Sequence, residues 1–247
     1  MKHCNLSRGP CIELDIGIDD PAWRPAMNYV TRCVLTLGFA MGAVLLGDAA
    51  HAAESISKVN GSVRVEPGQQ AGDVSSVNGS VTIGAGATTE DVETVNGSLR
   101  IEDQATVRSA ETVNGSVTVG DGARILEGID AVNGSLTLRR GARVEGGMEN
   151  VNGSILVDGA QVEGGIETVN GDIRLASGSQ LAGGIHVRER KTTWNWGGEP
   201  RNVKITIEQG ATVTGPLRFD REVDLYVAPG VSLPPVQGVP PKRYTLQ

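Results

Sequence analysis

Cysteine is almost absent. The chain has three, Cys4, Cys11 and Cys33, all near the start, and none afterwards. A protein made from the remainder takes its stability from backbone pairing and packing and not from disulfides. Aromatic residues make up 3% of the sequence, and between Ala53 and Thr193 there is no Phe, Tyr or Trp. An interior built there from Val, Ile, Leu and Ala alone is a narrow one. Histidine is nearly missing too: after His51 only His186 remains, so no metal cluster and no cofactor site is expected. Positive charge is in deficit, with 22 Lys and Arg against 29 Asp and Glu. That balance counts against nucleic acid or an anionic membrane as the main partner.

What is present begins with an export signal. Residues 27–52 hold Arg32, an apolar run from Cys33 to Leu46 and the small-x-small site Ala50-His51-Ala52. The run is shorter than the roughly 20 residues that a membrane span needs. Cleavage near Ala52/Ala53 leaves a mature chain without a membrane span, in the periplasm or secreted. Residues 1–26, polar and holding Pro10, Pro21 and Pro25, sit awkwardly upstream, which points to Met27 as the true start and to an extension assigned too early. Cys33 precedes the apolar run, which counts against a lipoprotein anchor.

The tetrapeptide Val-Asn-Gly-Ser starts at Val59, Val77, Val95, Val113, Val132 and Val151, and Val169-Asn170-Gly171-Asp172 is a seventh copy. Relative to each Val, position +4 is Val63, Val81, Leu99, Val117, Leu136, Ile155 and Ile173, and position +6 is equally aliphatic. The residues between, Arg64, Thr82, Arg100, Thr118, Thr137, Leu156 and Arg174, are polar but for one. That is the period of two of a strand with one buried face. Alanine at +10, an aliphatic residue at +12 and a third column three residues before the next Val complete a unit of three short strands and three corners. Such a unit buries its apolar face only when copies stack. The spacing and the 34 glycines exclude a helix. The expected fold is all-β, a single-stranded parallel β-helix of about nine coils of 18–19 residues, its hand left open with right-handed the expectation. It covers residues 53–233.

Asn-Gly tolerates left-handed backbone, so the expectation is a sharp turn at this corner. Stacking places Asn60, Asn78, Asn96, Asn114, Asn133, Asn152 and Asn170 about 4.8 Å apart, within reach of an amide ladder. The same six Asn-Gly-Ser triplets are glycosylation sequons, but the turn role accounts for all seven copies.

The repeat is interrupted by an insertion, residues 188–202, after which Ile205 and Ile207 resume the +4 and +6 columns, with Val223 and Leu225 expected to continue them. The insertion gathers Arg188, Arg190, Lys191 and Arg201 around Trp194 and Trp196. It is the candidate binding face, for a polysaccharide or an envelope protein, the alternative being that the indoles fold back over an irregular coil. Residues 234–247, with Pro234, Pro235, Pro240 and Pro241 unable to donate backbone hydrogen bonds, read as a blunt tail.

From about Ile56 to Val231 the VNGS-V-x-V units resemble the bacterial β-strand-repeat proteins grouped as adhesins, and more loosely the bactofilins, polymer-forming β-helix scaffolds. The first resemblance implies an adhesin-like or structural envelope protein; the second implies self-association through the ends of the stack. The export signal departs from the bactofilin pattern, and nothing after Leu217 is long enough for the membrane barrel of an autotransporter.

No enzyme is expected. Hexapeptide acyltransferases share the coil length but need a catalytic histidine and cytosolic acyl donors. Polysaccharide-active β-helix enzymes need converging carboxylates, whereas Glu66, Asp91, Glu102, Asp121 and Asp158 are spread along corners. Arginines break the threonine array of an ice-binding face, and no Asp-rich nonapeptide of a calcium-binding roll is present.

Overall fold

The computed structural model describes residues 54–189 and 201–246. The extension 1–26, the export signal and most of the insertion, Arg190, Lys191, Trp194 and Trp196 included, lie outside the described residues. Within them there is no helix, and every strand pairing is parallel. About nine coils stack as a β-solenoid with two continuous sheets. One has ten rungs, from Val63–Val65 to Lys242–Thr245; the other runs from Ile56–Asn60 to Val236–Gly238 with short side strands.

The first sheet is the +4 to +6 column: Val63 pairs with Val81, Leu99 with Val117, Leu136 with Ile155, Ile155 with Ile173. In the seven coils with an Asn-Gly corner both aliphatic positions are buried while the residue between faces out. The alanines at +10 are wholly buried, the aliphatic residues at +12 and at −3 are buried apart from the partly exposed Ile56 of the first coil, and all pack into one core. At about 25 cal/mol per Å2, each coil's five or so aliphatic side chains form the main favourable term. Phe219, the one deeply buried ring among the described residues, enters only in the ninth coil.

Three strands per coil hold for part of the stack only. In coils three to five the second and third strands merge into Thr88–Asn96, Thr106–Asn114 and Arg124–Asn133. In coils six to eight they separate, as in Arg143–Val144 and Met148–Asn152. The sequence at the intervening corner explains the change: Glu90-Asp91, Arg108-Ser109 and Glu127-Gly128 give way to Gly146-Gly147, Gly164-Gly165 and Gly183-Gly184.

The Asn-Gly corner differs from expectation in its physics. Among its glycines only Gly61 and Gly153 have positive φ, 109° and 129°, and no Asn does. Left-handed backbone occurs instead at the following corner, at Gly68, Gly86, Gln104 (φ 57°), Gly122, Gly141 and Gly159. What the Asn-Gly glycines supply is room. A Cβ on Gly79, Gly97, Gly115, Gly134 or Gly171 would lie 1.9 to 2.2 Å from the carbonyl oxygen of the glycine one coil earlier.

The C-terminal register also differs. Ile205 pairs with Leu225 and Ile207 with Val227, so the columns continue two residues later than Val223 and Leu225. The region expected to be a blunt tail adds another partial coil: Val236–Gly238 pairs with Leu217–Phe219, and Lys242–Thr245 with Val223–Val227. The prolines fall just outside both strands. Tyr244 stacks on Tyr226 with ring centroids 4.6 Å apart, Lys204 lies over Tyr226, and Lys242 bonds Glu222.

Candidate functional site

The seven asparagines form one chain of side-chain hydrogen bonds. Each Nδ2 donates to the Oδ1 one coil earlier: Asn78 to Asn60 and Asn96 to Asn78 at 3.1 Å, Asn114 to Asn96, Asn133 to Asn114 and Asn152 to Asn133 at 3.0 Å, Asn170 to Asn152 at 2.9 Å. The ladder ends in a cation. The eighth coil has the insertion where its Asn-Gly corner would be, and the Arg221 guanidinium, one coil further, donates to Asn170 Oδ1 (3.3 Å) and to the Arg201 carbonyl (2.8 Å).

A buried row supports the ladder from inside, at the residue before each Val, and sequence reading passed over it. Ser76, Thr94 and Thr112 donate their hydroxyls to the carbonyls of Gly61, Gly79 and Gly97, and Asn150 Nδ2 donates to Gly134. These are the same oxygens that a Cβ on the next glycine would strike.

Replacing Asn114 by Leu removes two ladder bonds, to Asn96 and from Asn133, and should cost about 1–3 kcal/mol. Thermal unfolding of the variant measures it; a melting temperature equal to the parent's would make the exposed ladder energetically idle.

One position further back lies the feature that has most chemical content. Glu93, Glu111, Asp130, Glu149 and Glu167 are Cα partners in successive coils, followed by His186 and Arg218. Five carboxylates therefore stack on the outer face of the longer sheet, about 4.8 Å per step. Desolvation, then the charge of Glu111, pushes Asp130 up to about 6. Desolvation, then Asp130 and Glu167, pushes Glu149 up to about 7 against the opposing pull of Arg188. Glu93 is raised as well, by desolvation and then by Glu111, Asp91 and Asp73.

The far end of the column is neutralised. His186 Nδ1 is 3.2 Å from Glu167 Oε2 and its Nε2 is 2.9 Å from Asp220 Oδ2. Arg188 donates to Glu167 at 2.6 Å, and Arg218 to Asp220 at 3.3 Å. Desolvation raises Asp220, but the hydrogen bond and charge of His186, with Arg218, hold it below its ordinary value. Elsewhere on this face Arg108 sits among Asp91, Glu90, Glu127 and Asp73.

The described ends of the insertion are both anchored to the seventh coil. Arg188 joins Glu167, and Arg201 joins Asp172 at 3.0 Å, the residue that replaces serine in the seventh copy. Asp172 also accepts the Lys204 backbone N–H at 2.9 Å. Of the corner acids singled out in the sequence, Glu102 faces Arg64 at 3.6 Å and the set does not converge; the converging carboxylates are the column above. A shallow depression of about 310 Å3 between the corners of the last coils, lined by Gln209, Thr212 and Ser232 among others, holds no ionisable side chain. No family model, curated protein or solved structure matches the chain.

Proposed function

We propose that this chain is an exported, non-enzymatic protein of the cell envelope, structural or adhesin-like, which meets its partner along its flank. The observation that carries the reading is the continuity of the stack: an unbroken asparagine ladder over seven coils beside one aliphatic core. Such a body presents surface groups at a fixed repeat of about 4.8 Å, suited to an extended partner such as a polysaccharide strand or an envelope protein. The resemblance to bacterial β-strand-repeat adhesins agrees with it, and the signal at residues 27–52 supports the periplasm or the exterior. The insertion gathers aromatic and cationic groups in a chain otherwise acidic and poor in aromatics, Trp194 and Trp196 among Arg188, Arg190, Lys191 and Arg201, and such side chains stack on sugar rings or anchor proteins.

A pull-down of envelope polysaccharides and proteins with the mature chain tests this, run beside a Trp194→Ala, Trp196→Ala double variant. Capture lost with the melting temperature unchanged supports the insertion as the binding face. Capture kept with lower stability makes it a lid and moves the face onto the coils.

Two other readings have specific support. The raised carboxyls of Asp130 and Glu149, stacked in one column, are what a polysaccharide-active enzyme would use; release of sugar from envelope glycans, lost in Glu149→Gln, would establish it. A bactofilin-like scaffold is favoured by the edge strands Ile56–Asn60 and Lys242–Thr245, each paired on one side among the described residues. Filaments in electron micrographs of the mature chain would select that reading, and discrete particles the adhesin-like one.

A further inference from the structure

An asparagine followed by glycine is chemically vulnerable because no Cβ shields the next backbone nitrogen. That nitrogen, on losing its proton, can attack the side-chain Cγ. The N–Cγ bond forms, the Cγ–Nδ2 bond breaks, ammonia leaves, and water opens the resulting succinimide to Asp or isoAsp. This chain repeats the vulnerable pair seven times, so what restrains each glycine nitrogen matters.

In five copies the stack occupies it. The glycine N–H donates to the asparagine carbonyl of the next coil: Gly61 to Asn78 at 2.9 Å, Gly79 to Asn96 and Gly97 to Asn114 at 3.1 Å, Gly115 to Asn133 and Gly134 to Asn152 at 2.9 Å. A nitrogen held this way must break a hydrogen bond before it can turn on its own side chain. In the seventh copy the Gly171 N–H donates instead to the Thr168 hydroxyl at 2.9 Å.

Gly153 is the exception. Its N–H has no hydrogen-bond acceptor among the described residues, and its φ of 129° sets it apart from the neighbouring Gly134 and Gly171. The difference lies one coil on. The strand Gly165–Thr168 stops before Val169 and Asn170, and its pairing with Met148–Asn152 ends at Thr168. The Asn170 N–H still donates to Val151, but the Asn170 carbonyl does not receive the Gly153 N–H as that of Asn152 receives Gly134's. Asn152 itself is exposed, so water reaches the link.

We propose that Asn152–Gly153 is a site of spontaneous self-modification, at which the folded protein deamidates ahead of its six sister sites. The net reaction consumes one water and releases one ammonia. Its product alters the ladder at a defined place. A carboxylate at 152 still accepts from Asn170 but has lost the donor to Asn133, and the isoAsp form adds a methylene to the backbone beside the seventh coil, to which the described ends of the insertion are anchored. The stack therefore contains an age-dependent weak point one coil before the coil that anchors the described ends of the insertion.

The test is peptide mapping of the purified full chain after incubation in mildly alkaline, isotope-labelled water. Tryptic cleavage yields one peptide, Val144 to Arg174, that contains both Asn152 and Asn170, whose fragments separate them. Label should enter at residue 152 about five- to tenfold faster than at Asn114, the factor that one net backbone hydrogen bond represents. In denaturant the six identical Asn-Gly-Ser sites should label at one rate. Thr168→Val, which frees the Gly171 N–H, should raise the rate at Asn170 relative to Asn114 in the same digest. Equal labelling of Asn152 and Asn114 in the folded chain, or no change at Asn170 in the variant, overturns the proposal.

Discussion

Gly115→Ala is expected to destabilise the rod by about 3–5 kcal/mol, more than a methyl group normally costs in a core. The methyl would sit 1.9 Å from the Gly97 carbonyl oxygen and 2.5 Å from its carbon. Neither can retreat, since both belong to backbone clamped between coils. Parting the two coils to make room stretches the Gly97 to Asn114 backbone bond, the Thr112 hydroxyl contact with Gly97 and the ladder bond from Asn114 to Asn96. Gly122→Ala supplies the control. Gly122 has φ 66° and only the Gln104 side chain nearby, at 3.7 Å, so its cost is the left-handed backbone alone, about 1–2 kcal/mol. Gln104 already occupies that column at φ 57°. Chemical denaturation of both variants measures the difference. If the two cost the same, the Asn-Gly corner is a conformational requirement after all and not a steric one.

That distinction marks how far the sequence could be read. The coil length, the parallel stack and the core columns were legible because aliphatic side chains at +4 and +6 have no other place to go. The asparagine column was legible because identical residues in a stacked repeat must lie one coil apart. The reason for glycine was not, because an Asn-Gly pair reads equally well as a left-handed turn, and only the distance to the previous coil decides. The C-terminal register slipped by two residues because Val203, Ile205, Ile207 and Val223, Leu225, Val227 are both alternating triplets, and each fits a shift of two. The prolines at 234, 235, 240 and 241 hid two short strands, one between the two pairs and one after the second.

The carboxylate column was missed for a different reason. Acids were sought at corners, where charge is normally found, whereas Glu93, Glu111, Asp130, Glu149 and Glu167 stand mid-strand, two before each Val. Aligning the copies on Val and reading position −2 would have shown it. The insertion is a partial case: its ends are tied to Glu167 and Asp172, and its tryptophans lie outside the described residues.

The column makes the protein's stability depend on pH in an uncommon direction. Carboxylates usually favour folding when ionised; here Asp130 and Glu149 hold their protons more tightly in the folded chain than in the unfolded one. Well below the ordinary carboxyl range both states are protonated and nothing is lost. As pH rises from there, the unfolded chain releases its protons first, so stability falls until the folded groups follow at about 6 and about 7. Asp130 moves by about two units, which is about 3 kcal/mol. Glu149 is more open to solvent, and its share is nearer 1–2 kcal/mol after screening. Asp220 and Glu222, both lowered, act oppositely, but their contribution fades only as pH drops through values under the ordinary carboxyl range. Between about pH 5 and about pH 8 the column should therefore dominate, with a melting temperature about 5–10 °C higher at the acid end. The groups facing it are Glu111, Glu167, Arg188 and, one step beyond, His186, so an isosteric double variant isolates the pair. Asp130→Asn with Glu149→Gln should flatten the profile and raise the melting temperature most at the alkaline end and by less at the acid end, where the unfolded carboxyls are already largely ionised. A parent whose melting temperature is level across that range, or a double variant no more stable than the parent at about pH 8, would mean that the stacked charges are not a burden on the fold.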